Sequence, residues 1–239
     1  TEYTFHSDQI RYETVDPDAN PALARQKGIT SYGVLVFESD GRREETYAMD
    51  EQDVTSAILK VSRAQKKTVA FVTGHQERSP DDSSQDGYAT IRRLLEQKNY
   101  AVQSLNLATI TTTIPITTDV VVLGAPRHEL APEETALLSD YLAQGGRLLV
   151  MTDPQLPVPL ASTLEGWGVR PRADIVVDPA SSFFGDVASP LVTRFPYHEM
   201  TKDLGGLTTF FPLARSLERL SPSPAGISVS NLVETSADS

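Results

Sequence analysis

The 239-residue chain carries 21 lysines and arginines against 32 aspartates and glutamates. The resulting net charge of −11 argues against nucleic acid or an anionic lipid surface as a partner, because both attract a basic protein face. The chain contains no cysteine, which excludes disulfides, thiolate metal sites and cysteine nucleophiles. Hydrophobic residues make up 39% of it and no stretch approaches the roughly 20 apolar residues of a membrane span, so a globular fold is predicted.

The first quarter of the chain predicts a small β-α-β-β-α unit. Residues 9–15 alternate apolar and polar side chains, as a half-buried strand does. A short helix is predicted over 21–28, with a proline at its first position and a glycine at its end. Residues 32–49 predict a β-hairpin that turns at Asp-Gly, and residues 50–65 predict an amphipathic helix.

The middle of the chain alternates strand and helix patterns. Strands are predicted at 66–74, 101–108, 119–126, 147–154 and 173–179, and helices at 86–100, 131–146 and 159–169. Several of the strands are continuous apolar runs, which indicates a parallel sheet covered on both faces. Short connections between alternating elements predict right-handed crossovers and a three-layer α/β sandwich. The threonine-rich residues 109–118 predict an exposed loop.

Beyond residue 179 the regular pattern fades into a segment rich in proline, glycine and aromatic residues. It predicts an irregular extension packed on the α/β domain, so the domains are expected at 1–63, 64–178 and 179–239. Six aromatic residues are expected to lie mostly in the core, with an exposed contact surface as the alternative. They are Phe183, Phe184, Phe195, Tyr197, Phe210 and Phe211.

Polar residues follow directly on the first strand of the α/β domain. Gly74, His75, Glu77 and Arg78 lie where open α/β sheets bind ligands, at the carboxyl end of a strand. His75 and Glu77 could act as an acid–base pair, and Arg78 could bind an anion. The alternative is structural: Gly74 turns the chain and the charged side chains brace neighbouring strand ends.

The next strand-end loop contains Arg127 and His128. If the two strands are neighbours, these residues join the same edge of the sheet, and we expect them to converge with His75, Glu77 and Arg78 when the loops form a ligand or partner site.

Other kinds of site have little support in the sequence. A metal site built from His75, Asp81, Asp82 and Asp153 is conceivable, but no spacing typical of metal ligands connects them. There is no glycine-rich phosphate loop and no nucleophile elbow around a serine. The sequence therefore predicts neither a metal nor a cofactor.

Several segments together resemble a known family. They include "VDPDANPALARQKGI", "VAFVTGHQERSPDD", "DVVVLGAP" and "YLAQGGRLLVMTDP". These resemble the extracytoplasmic part of the gliding-motility-type auxiliary component of ABC transporters, over nearly the whole chain; that family has a second glycine where this sequence has Gln76. The α/β domain is also similar to the flavodoxin-like domain shared by class I glutamine amidotransferase relatives and an intraflagellar transport domain. The first unit resembles the second half of a thioredoxin fold.

The resemblance implies a mainly parallel, flavodoxin-like α/β sandwich preceded by a thioredoxin-like βαββα unit. It implies a non-enzymatic domain on the extracytoplasmic side of the cell membrane, in a protein anchored by segments outside this chain. Its partners would be the permease and ATPase subunits of an ABC transporter, and a ligand or partner would bind at the strand-end loops. The alternative is a degenerate or unrecognised hydrolase that uses His75 and Glu77.

Overall fold

The computed structural model describes residues 2–63, 65–154, 156–222 and 225–239. The chain forms two compact units. One comprises the chain up to Lys66 together with Gln97–Asn99, and the other comprises Lys67–Glu96 and Tyr100–Ser239.

The first unit is built on one β-hairpin and three helices. They are α1 (Glu2–His6), α2 (Pro21–Gln26), β1 (Leu35–Ser39), β2 (Arg42–Thr46) and α3 (Glu51–Ser62). β1 and β2 pair antiparallel through a two-residue turn in which Asp40 and Gly41 both have positive φ, as the predicted Asp-Gly turn requires. Asp50 caps α3, since its carboxylate accepts the Asp53 N–H at 2.9 Å.

The predicted strand at 9–15 does not form, and that prediction was wrong. These residues form a turn at Gln9 followed by irregular coil, and Tyr12 is 68% exposed. The sheet of this unit contains two strands, β1 and β2, so the alternating segment has no ladder to join. The unit is therefore α-α-β-β-α rather than β-α-β-β-α.

The second unit contains a four-stranded parallel sheet. Its strands are β3 (Lys67–Thr73), β4 (Tyr100–Asn106), β5 (Thr118–Gly124) and β6 (Leu148–Met151), and its helices are α4 (Ala89–Gln97), α5 (Pro132–Ala143) and α6 (Ala161–Gly166).

Both faces of this sheet are covered, which confirms the predicted flavodoxin-like sandwich. Along β3, Ala70 and Val72 lie in a core that includes Leu138 of α5 and Leu160 beside α6. The intervening Phe71 lies in a second core that includes Leu95 of α4 and Tyr88 just before that helix. Alternate residues of one strand thus serve opposite faces.

The order of the strands places a topological switch between β3 and β5. The order is β4-β3-β5-β6, so the chain moves from β3 outward to β4 and then returns to the other side of β3. The crevice outside the carboxyl ends of two such strands is where open α/β sheets bind ligands. The loops that carry His75 and Arg127 begin at these two ends.

The predicted strand at 173–179 is also absent. Its backbone N–H groups donate to two separate segments and not to one neighbouring strand. Val176 donates to the Ala214 carbonyl at 2.8 Å, and Asp178 donates to the Val187 carbonyl at 2.8 Å. Two short strands instead pair antiparallel nearby, β7 (Val169–Pro171) and β11 (Leu217–Arg219).

Two smaller expectations also need correction. β6 is an edge strand rather than a fully buried one, and Leu149 is 49% exposed. The threonine-rich connector is exposed over most of its length, but Ile114 is 6% exposed and belongs to the larger core.

The last segment forms a small antiparallel sheet of β8 (Ser182–Phe183), β9 (Asp186–Val192) and β10 (Thr209–Phe210). None of the six aromatic residues predicted for the core is buried. Phe184 is 95% exposed at the turn after β8, and Tyr197 is 86% exposed. Phe183 stacks on Phe210 with ring centroids 4.2 Å apart. The core prediction was therefore wrong for this group, because a sheet with two-residue edge strands has little surface to cover them.

Candidate functional site

The loop after β3 folds back on itself around Glu77. Gly74 has a φ of 124° and Gln76 a φ of 58°, and this pair of left-handed turns brings the Glu77 side chain beside His75. Oε2 of Glu77 accepts the His75 backbone N–H at 2.8 Å, and Oε1 lies 3.1 Å from Nδ1 of the His75 ring. The Glu77 side chain is 2% exposed, so this carboxylate hydrogen-bonds within its own loop and is shielded from solvent.

A third residue, Glu134, completes the arrangement. Nε2 of His75 lies 2.8 Å from Oε2 of Glu134, whose side chain is 6% exposed. The same oxygen accepts the backbone N–H of Ala131 at 2.8 Å, as the glutamate of a capping box does at a helix start. The residues predicted for the site from the sequence do not include Glu134. The third helical position of Glu134 was the signal for the cap, but nothing in the sequence connected it to His75.

The two carboxylates determine what the imidazole can do. Two ionised carboxylates require the protonated ring, which donates from both nitrogens, whereas a neutral ring requires a proton on one of the carboxyl groups. In either form, both ring nitrogens of His75 are occupied by Glu77 and Glu134. No ring nitrogen is left to take a proton from a substrate or a nucleophile.

The second strand-end loop meets the first through its backbone. The N–H groups of Arg127 and His128 lie 2.9 and 3.3 Å from the carbonyl oxygen of His75, to which they donate. The N–H of Arg78 donates to the Gly124 carbonyl at 3.1 Å. The side chains of Arg127 and His128 are exposed, so they do not converge with His75, Glu77 and Arg78 in the manner expected of a ligand pocket.

Arg78 points toward the end of β6. Its Nη2 donates to Oδ2 of Asp153 at 2.7 Å, and its Nη1 lies 3.8 Å from Asp86. Partial burial alone would lower the pKa of Arg78, but the hydrogen bond and the charge of Asp153 outweigh it, and the pKa is raised. Arg78 therefore connects the carboxyl ends of β3 and β6 as a permanent cation.

The four residues considered as metal ligands are dispersed. Asp81 is paired with Arg92, and Asp82 accepts hydrogen bonds from the backbone and hydroxyl of Ser84. In the part of the chain that the structure describes, no group of three or more histidine, aspartate or glutamate side chains could hold a metal ion.

Comparison with known proteins assigns the chain to a family. A family model described as "ABC-type uncharacterized transport system" matches residues 66–239. The chain belongs to this family. The resemblance to an ABC transporter auxiliary component is thereby confirmed, and membership in the ABC-type transport family supports a transport-associated role.

A solved structure supports the fold of this family member. The chain is similar to a structure described as "mmIFT52 N-terminal domain", with a TM-score of 0.54 and 20% sequence identity, over 71% of this chain and 73% of the other. At this identity the likeness shows the fold alone, and it agrees with the expected similarity to an intraflagellar transport domain. No curated protein matches the chain. Within the described residues, none of the helices is both long enough and apolar enough to span a bilayer.

Proposed function

We propose that this chain is a non-catalytic, extracytoplasmic domain of an ABC transporter auxiliary protein, anchored to the membrane through segments outside the chain. Its task would be to bind the permease of the transporter, and through it the ATPase. The contact surface would be the strand-end rim, which we define as residues 74–78 together with 125–130. The family assignment and the position of this rim at the switch point support the proposal.

The observation that carries the proposal is the filling of the crevice by its own side chains. His75, Glu77 and Glu134 occupy the space outside the ends of β3 and β5, where a small ligand would otherwise bind. The backbone hydrogen bonds from Arg127 and His128 fasten the two loops together. A braced rim with charged side chains on its outer surface suits a protein partner, because little conformational entropy is lost on binding.

The hydrolase alternative has weak support from this geometry. A His–Glu pair is present, but Nε2 of His75 faces the carboxylate of Glu134 instead of a nucleophile. Hydrolase activity would require the Glu134 side chain to move away from Nε2 of His75.

The proposal is tested with the full-length parent protein co-expressed with its transporter subunits. The double variant Arg127→Glu with His128→Glu replaces the exposed cation and the neighbouring imidazole of the rim by carboxylates and should reduce co-purification of the permease at least about tenfold. The melting temperature should stay within about 2 °C of the wild type, since both side chains are exposed.

A matched control separates a local effect from a change in net charge. Arg93→Glu reverses an exposed arginine on α4, away from the rim, and should leave co-purification unchanged. Equal losses in both variants, or no loss in the rim variant, would reject the rim as the contact surface. Esterase or amidase turnover that disappears in His75→Ala would favour the hydrolase instead.

The location can be tested because the chain has no cysteine. A single cysteine introduced as Ser83→Cys, at an exposed position, would be placed in a parent protein without other cysteines. A membrane-impermeant maleimide added to intact cells or spheroplasts should label it. Labelling only after lysis would contradict the extracytoplasmic placement.

A further inference from the structure

The second unit contains an open cleft of about 620 Å³, separate from the strand-end rim. One wall is formed by Pro154 and residues 156–158, which follow β6. The other is formed by Pro171, the last residue of β7, and by residues 173–175. The lining is mostly aliphatic, with several proline rings. The volume lies in the range of small-molecule sites, which combine apolar walls with a few polar groups.

The cation of this cleft is Arg215. Its Nη2 donates to the carbonyl oxygens of Asp153 at 2.8 Å and Leu156 at 3.1 Å. Its Nε is buried and has no hydrogen-bond partner within the described residues. Among those residues, no carboxylate forms an ion pair with its guanidinium, although ion pairs are frequent elsewhere in the unit. A partly buried charge held only by neutral acceptors favours an incoming counter-ion.

The other charged group of the cleft, Asp174, is already satisfied. Its carboxylate accepts the backbone N–H and the hydroxyl of Ser216 at 2.9 and 2.7 Å, and it lies 3.3 Å from Nε of Arg172. The hydrogen bonds from Ser216 are the largest cause of its lowered pKa, and the charges of Arg172 and Arg215 add to the effect. Asp174 thus has its own hydrogen-bond partners and, although its charge lies in the same cleft, it forms no direct ion pair with Arg215.

We propose that this cleft binds a small organic carboxylate with an apolar body, whose carboxylate is recognised by the guanidinium of Arg215. The apolar body would lie between the two walls and bury aliphatic surface, and the carboxylate would supply the missing counter-ion. The site is connected to the strand-end rim through Asp153. The Asp153 backbone carbonyl accepts from Arg215, while its side chain pairs with Arg78.

Octanoate and octanol are suitable probes, because they share an alkyl chain and differ in charge. Calorimetric titration of the chain with octanoate should give a dissociation constant on the order of 1 mM or tighter, as expected for a ligand of this size. Octanol should bind at least about tenfold more weakly, since it gains burial but no ionic contact. Raising the salt concentration should narrow this difference.

Three variants locate the site. Arg215→Gln should weaken octanoate at least about tenfold, because the cation is lost, and should change octanol binding far less, because the apolar walls remain. Arg219→Gln, an exposed arginine on β11, is the matched control and should change octanoate binding less than about twofold. Ala173→Trp places a bulky ring in the cleft from an exposed lining position and should weaken both probes.

The proposal fails if octanoate shows no binding up to about 10 mM, or if octanol binds equally well. It also fails if folded Arg215→Gln binds octanoate like the wild type. If Arg215→Gln does not fold, the binding of the two probes to the wild type and to Ala173→Trp still tests whether the cleft is the site. Undiminished binding of octanoate to folded Ala173→Trp would place the ligand elsewhere and overturn the assignment.

Discussion

Nε2 of His75 lies 2.8 Å from Oε2 of Glu134, so the loop after β3 is fastened to the first turn of α5. The same carboxylate oxygen caps that helix through the N–H of Ala131. One side chain therefore serves both a helix start and a strand-end loop, and the two loops at the switch point depend on it together.

Removing this carboxylate should destabilise the chain markedly. Glu134→Ala leaves Nε2 of the mostly buried His75 ring and the Ala131 N–H without this partner, which should lower the free energy of unfolding by about 2–4 kcal/mol. The measurement is urea denaturation followed by circular dichroism. Glu133→Ala removes the exposed neighbouring carboxylate and should change the free energy by less than about 0.5 kcal/mol. Similar values for the two variants would show that the contact with His75 contributes little.

The parallel sheet was the part of the fold that the sequence predicted best. β3 and β5 are continuous apolar runs, and such runs fit only a position buried on both faces. The strand predicted at 9–15 rested on alternation and the one at 173–179 on a short apolar run after a helix, and neither has a neighbouring strand to pair with. Whether a partner exists depends on tertiary structure, which a local pattern does not contain.

The candidate site was likewise predictable only in part from the sequence. The position of His75 and Glu77 at a strand end follows from the order of elements, and the hydrogen bond from the His75 backbone N–H to the Glu77 carboxylate agrees with the structural alternative, in which these side chains act as a brace. The contact with Glu134 spans 59 residues and depends on where α5 begins relative to β5. No motif links those positions, so only the three-dimensional structure shows the pairing.

Glycine at position 76 should make the chain more stable than the present glutamine does. The φ of Gln76, 58°, is in the left-handed region, which costs a side chain with a Cβ roughly 1–2 kcal/mol. Part of the gain is offset by the greater freedom of glycine in the unfolded chain. Gln76→Gly should therefore raise the free energy of unfolding by up to about 1 kcal/mol. Gln103→Gly, at an exposed position within β4, should lower it by about 0.5–1 kcal/mol, and denaturation midpoints compare the two.

Gly87 should not tolerate even a methyl group. A Cβ at this position would lie 2.0 Å from the carbonyl oxygen of Asp82, the same oxygen that accepts the Ala89 N–H before α4. Gly87→Ala must move backbone in the loop before α4, and we expect a loss of about 1–3 kcal/mol in thermal or urea unfolding. Gly166→Ala in α6 meets nothing within 4 Å and should instead stabilise the chain by up to about 1 kcal/mol. A neutral Gly87→Ala would mean that this loop adapts without cost.

Asp178 is fully buried and holds the end of the chain. Its two carboxylate oxygens accept from the backbone N–H and hydroxyl of Ser236, and from the N–H groups of Ala180 and Ser181. The hydrogen bonds from Ser236 are the largest cause of a lowered pKa for Asp178. The carboxylate thus connects two segments that are 58 residues apart.

The stabilisation from Asp178 should depend on pH in the acid range. Because its folded-state pKa lies below its ordinary value of 3.8, the contribution is fully present above pH 3.8 and is lost as the pH falls through the lower, folded-state pKa. Asp178→Asn should lower the melting temperature at pH 7 by several degrees and should flatten the fall in melting temperature between about pH 5 and pH 2. Asp203→Asn, at an exposed position, should keep both the melting temperature at pH 7 and the acid slope of the wild type.

The segments around Asp178 and Ser236 should also separate first in Asp178→Asn, because Ser236 loses its charged acceptor. Amide hydrogen exchange at Ser181 and Ser236 should therefore accelerate ahead of exchange in β3. An unchanged acid slope in Asp178→Asn would show that other carboxylates account for the acid sensitivity. Unchanged exchange at Ser236 would show that contacts other than the one with Asp178 hold the terminal segment.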